Sequence, residues 1–189
     1  GTPMEQAFRH LVRENAILQS LCLDYTVICF ADLKTDTIEV VKQGMFSHGM
    51  DIDEALPAKE KLSYRSRMVY IRDHLLVKES CGDFYGELGP EGLMRHLMEK
   101  ETFTYRARTK GNREGNEYFE LKAIRVHQDE TSFKVVIGIR PIDDLIREEG
   151  RHQRRLEEAL ASERRSHEVI STISKIYWVI YLIDLEKDT

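Results

Sequence analysis

The sequence predicts an α+β fold: a five-stranded antiparallel sheet with helices on one face, flanked by an N-terminal helix and a long C-terminal helix. Three observations carry this. Five runs alternate apolar and polar residues with the period of two expected of strands. Two of these runs lie before residue 45 and three after residue 101. The stretch between them and both flanks space their apolar residues by three and four, the period of a helix.

The elements follow in order. In MEQAFRHLVRENAILQS, residues 4–20, Met4, Ala7, Phe8, Leu11, Val12 and Leu18 fall at helical spacing, so residues 1–23 read as one amphipathic helix. Tyr25–Leu33 and Thr37–Gly44 read as strands joined by the turn-prone Lys34-Thr35-Asp36. From Asp51 to Lys100 the pattern is helical. Tyr64, Met68, Ile71 and Leu75 share one face, and Leu93, Met94, Leu97 and Met98 share another after Pro90, which suits a first helical turn. Core packing is the plain role of such stripes.

Three strands follow. TFTYRART sets Phe103, Tyr105 and Ala107 on one side, and EYFELKAIRV does the same with Phe119, Leu121 and Ala123. SFKVVIGIR alternates Phe133, Val135, Ile137 and Ile139. Short links between them favour successive antiparallel pairing. Beyond Pro141, Ile142, Ile146, Leu156, Leu160, Ile170 and Ile173 form a sparse coiled-coil seam in a charged helix, aided by pairs such as Asp143–Arg147. Residues 144–175 are thus expected to be a linker helix that pairs with a second copy as a parallel homodimer, with Leu156 and Leu160 central.

YWVIYLIDLEKDT, residues 177–189, matches YTVICFADLKTDT, residues 25–37, at seven of thirteen positions with an offset of 152. Chance agreement at roughly one in twenty gives about one match. Residues 176–189 therefore read as the first strand of a second, truncated repeat.

Bulk properties narrow the partners. The 28 basic and 33 acidic residues leave a net charge of −5 with no basic block, which argues against nucleic acid. No apolar run approaches the roughly 20 residues of a bilayer span, so no membrane contact is expected of this segment. Cys22, Cys29 and Cys81 lack metal-ligand spacing and fit free thiols of a reducing, cytoplasmic setting.

The strand–strand–helices–three-strand order, with VVIGIRPIDDLIREE carrying a Gly (Gly138) and an exit Asp (Asp143 or Asp144), resembles the PAS (sensory box) domain of bacterial signalling proteins. The resemblance covers about residues 21–145, with the domain itself at 24–143, and again residues 174–189 as the opening of a second copy. With the paired YxVI…DLxxDT starts, it implies the first of a tandem pair upstream of a diguanylate cyclase-type output domain. Such domains hold haem, flavin or small acids between sheet and helices, or hold nothing. The pocket expected here is lined by Cys29, Tyr64, Met68, Ile71, Leu75 and Tyr105. A ligand, if present, is expected to be a small non-covalent metabolite. No cofactor is expected: the flavin-domain Asn-Cys-Arg helix is missing, and only His74 and His96 stand in the helical middle as haem ligands.

No phosphate loop, GxSxG elbow, HExxH helix or GGDEF motif occurs. The segment is therefore expected to be non-enzymatic, a sensory and dimerising input module. The alternative lies in SHEVIS: His167, followed by Glu168 on a helix, suits the phospho-acceptor of a sensor histidine kinase.

Overall fold

The computed structural model describes residues 3–43, 61–111 and 115–187. The chain divides into two compact units, Gly1–Asp143 and Asp144–Thr189.

The first unit opens with two helices where the sequence predicts one, α1 (Pro3–Glu14) and α2 (Ala16–Asp24). Asn15 divides them. Its backbone is extended, and its side-chain oxygen accepts from the Ile17 and Leu18 N–H groups at 2.9 and 3.3 Å. Asparagine is among the strongest N-caps, so a new helix starts there.

Strands β1 (Val27–Asp32) and β2 (Thr37–Gln43) form the expected hairpin. The Asp32 carboxylate accepts from the N–H groups of Lys34, Thr35 and Phe133, tying the turn to the last strand. Asp36 sits at φ 57, a left-handed conformation that Asp tolerates by local hydrogen bonding. Its carboxylate also holds the start of α3 (Tyr64–Tyr70), accepting from the Ser63 hydroxyl at 2.6 Å and the Arg65 N–H at 2.8 Å.

A π-helical turn (Ile71–Leu75) extends α3, and α4 (Phe84–Leu88) and α5 (Pro90–Glu99) follow. The last strands are β3 (Thr102–Arg108), β4 (Tyr118–Gln128) and β5 (Phe133–Pro141). The sheet runs β2-β1-β5-β4-β3, and every pairing is antiparallel. This is the α+β arrangement with a five-stranded antiparallel sheet that the element order implied.

The sheet carries helices on both faces. Tyr64, Met68, Leu88, Leu93 and Leu97 pack on the inner face against Cys29, Val135 and Ile137. On the outer face, Leu18, Leu21 and Tyr25 cover Ile28, Ile124 and Val136. The inner strand β1 is thereby buried on both sides, which explains why its apolar run is nearly unbroken where alternation was expected.

The second unit is helical. Helix α6 (Asp143–Lys187) begins on the last residue of the first unit and continues past residue 175. Residues 176–187, expected as a strand, are helical. A strand must pair its N–H and C=O groups with a neighbour, whereas a helix pairs them along its own axis. Among the described residues no helix is long and apolar enough to cross a membrane.

Candidate functional site

The inner face holds a cavity of about 60 Å3 between the π-helical turn, α4 and strands β3, β4 and β5. The turn shapes it. The Leu76 N–H bonds back to the Ile71 carbonyl at 3.2 Å, and the chain then straightens to pair Leu76 with Thr109 beyond the edge strand β3. Lys110 N–H donates to the Leu75 carbonyl and Val77 N–H to that of Arg108, both at 2.9 Å. These bonds hold Ile71 and Leu75 over the sheet. Phe84 and Leu88 of α4 form further wall, and Ala107, Phe119, Leu121 and Ile139 supply the sheet side.

The lining is almost wholly carbon. Tyr105 and Thr109 are the polar exceptions, and their hydroxyls are turned out of use by donating to the Cys81 and Glu117 carbonyls. The Tyr105 ring meets Phe84 edge-on, with centroids 5.8 Å apart. Burial foremost, and then the neighbouring Cys81, raise the Tyr105 phenol above its usual range.

Of the six pocket residues expected, Ile71, Leu75 and Tyr105 line this cavity. Cys29, Tyr64 and Met68 do not; they are core, with 0%, 0% and 1% exposure. Burial pushes the Cys29 thiol up to about 12, so it stays neutral and unreactive at ordinary pH. The Tyr64 hydroxyl donates to the Leu88 carbonyl at 2.6 Å, fastening α3 to the end of α4. Phe84 and Leu88 gave little sequence signal, because a helix of five residues shows no period. Phe119, Leu121 and Ile139 stood among the inward-facing strand positions and were open to inference.

Neither candidate haem ligand reaches the cavity. His74 is exposed and stacks on Tyr70, while His96 stacks on Phe103 and pairs with Glu87. Among the described residues no cluster suited to a metal ion occurs.

A second constellation lies on the outer face. The Glu120 side chain is buried and accepts from the Tyr25 hydroxyl at 2.8 Å, from Arg140 at 2.7 and 2.9 Å, and from Arg106 at 3.3 Å. The Arg140 guanidinium also lies over the Tyr25 ring, 4.7 Å from its centre. Burial chiefly, and then Glu120, raise the Tyr25 phenol strongly. Gly138 makes room for this: a Cβ there would lie 2.8 Å from the Tyr25 ring.

Just beyond, Ile142 N–H donates to the Tyr118 carbonyl at 2.9 Å. The Asp143 carboxylate accepts from the Glu117 and Tyr118 N–H groups at 2.9 and 3.4 Å. Of the two exit aspartates it is therefore Asp143 that ties to the sheet. Arg147 pairs with Asp144 rather than with Asp143, whose oxygens are committed to β4.

No family model matches this chain, and no curated protein matches it. Among solved structures it is similar to a sensory box histidine kinase/response regulator from Burkholderia thailandensis. The identity is 15%, over 77% of this chain and 98% of the other, with a TM-score of 0.45.

Proposed function

We propose that this chain is the sensory and dimerising input module of a bacterial signal-transduction protein. It is read as cytoplasmic, non-enzymatic and the first of a tandem pair, passing its signal through α6 to an output domain of the diguanylate cyclase type. One observation supports this most directly. Within five residues the end of β5 passes from the cavity wall at Ile139, through Arg140 in the Glu120 constellation, to Asp143, the first residue of α6. A molecule in the cavity presses on the strand that sets the start of the helix. Coupling then consists of two arrangements of that start, unequally favoured by the ligand.

The cavity bears on the ligand. Drug-sized ligands occupy pockets of roughly 300–1,000 Å3, so about 60 Å3 of apolar space suits a small, uncharged molecule. Purified protein is expected to be colourless; a Soret band or flavin spectrum at near-stoichiometric level would overturn this.

The assembly reading is a parallel homodimer along α6. Leu156 and Leu160 are 51% and 48% exposed, and burying them against a second copy gains roughly 25 cal/mol per Å2 of apolar surface. The double variant Leu156→Glu, Leu160→Glu should sediment as a monomer while keeping the circular dichroism of its sheet. A variant that stays dimeric would place the contact elsewhere and remove the seam.

A second reading has one feature in its favour: His167 and Glu168 lie exposed side by side on α6. If His167 is a phospho-acceptor, a supplied kinase domain will label the chain, and His167→Gln will abolish the label. Absence of labelling removes this reading.

A further inference from the structure

The end of α6 repeats more than a strand. At the same offset of 152, Leu18, Leu21 and Tyr25 correspond to Ile170, Ile173 and Tyr177. In the first unit these three side chains are 0%, 2% and 6% exposed, packed on the outer face of the sheet, with the Tyr25 hydroxyl on Glu120. Their counterparts are 62%, 47% and 69% exposed. Val179, Ile180, Leu182 and Ile183 follow, also exposed. Together they make the helix apolar on every side, which water does not favour.

A coiled-coil seam with a second copy covers one stripe of such a helix and leaves the rest wet. Strand exchange into the first unit's own sheet is excluded by size. The β1 positions of Cys29 and Ala31 are 0% and 1% exposed. The repeat would put Tyr181 and Ile183 into those filled sites.

We infer that residues 170–187 are the docking face and an inner strand of a second sheet of the same build. Ile170, Ile173 and Tyr177 seat on its outer face, as Leu18, Leu21 and Tyr25 do in the first. Residues 179–184 then leave the helix and take the place of β1. The partner surface is a sheet of β-branched apolar residues, with a glycine beneath the Tyr177 ring and a buried carboxylate accepting from its hydroxyl. The inference rests on the tandem reading and adds to it a specific outer-face contact.

Trp178, the single tryptophan of the sequence, reports on this directly. Its emission and acrylamide quenching are to be compared between the 189-residue chain and the polypeptide as its gene encodes it. The longer polypeptide should show a blue shift and several-fold weaker quenching. In it, Tyr177→Phe should lower a second melting transition and leave the first unit's transition unchanged. Equal quenching in both proteins, or a gene supplying no further strand pattern, overturns the inference together with the tandem reading. A protected Trp178 with a melting profile indifferent to both Tyr177→Phe and Ile170→Asp overturns the outer-face contact and leaves the tandem reading standing.

Discussion

Glu120→Ala should lower the stability of the first unit by about 2–3 kcal/mol, measured as a fall in the urea midpoint at constant slope. The carboxylate is buried, and its removal takes from Arg140, Arg106 and the Tyr25 hydroxyl the acceptor they share. Breaking a fully buried pair costs about 3–5 kcal/mol, and solvent reaching the half-exposed arginines trims that figure. Tyr25→Phe, which deletes one hydrogen bond to a charged group, should cost about 1.5–3 kcal/mol.

The same constellation sets an acid dependence. Burial is the largest influence on the Glu120 carboxyl and acts to raise its pKa. The Tyr25 hydroxyl and Arg140 outweigh it, so the group titrates below its ordinary value. A depressed carboxylate contributes stability that is complete above the unfolded value, about 4.3, and lost as pH falls through the folded one. Wild type should therefore lose stability below about pH 4 more steeply than Glu120→Gln. Equal acid limbs would show that Glu120 is not ionised in the folded state.

Tyr64→Ala should be more damaging, at about 3–5 kcal/mol, because it empties a fully buried aromatic site. The loss includes the bond that holds α3 to the Leu88 carbonyl. Tyr64→Phe separates the two effects and should cost about 0.5–1.5 kcal/mol for the hydrogen bond alone. A Tyr64→Ala protein of near wild-type urea midpoint would mean that α3 is not part of the cooperative core.

Tyr64 also shows where sequence reasoning stopped. Its helical face was legible from the spacing of Tyr64, Met68, Ile71 and Leu75. That face divides along its length: Tyr64 and Met68 press on the middle of the sheet, and Ile71 and Leu75 stand over the cavity. Periodicity names the buried side of a helix without saying which part of it meets a void. The five strands were legible because alternation survives in β3, β4 and β5. The π-helical turn was not, since one extra residue in a turn leaves no compositional mark. Nor was Glu120 legible as a buried group: in EYFELKAIRV it reads as an ordinary outward-facing charge. Its burial depends on Tyr25 and Arg140, distant in sequence and joined only by the fold.

The pairing of the first strand with the last has a mechanical side. Val27 stands opposite Ile139, and Thr26 bonds the Ile139 carbonyl through both its N–H and its hydroxyl at 3.1 Å. The chain thus enters β1 and leaves β5 at the same end of two antiparallel neighbours. Tension applied through the flanking helices does not shear these strands along their length, which would load all their hydrogen bonds together. It peels them apart from Val27 and Ile139 inward, one rung at a time. A unit pulled in this way yields at low force, and the wall of its cavity at Ile139 is among the first places to open.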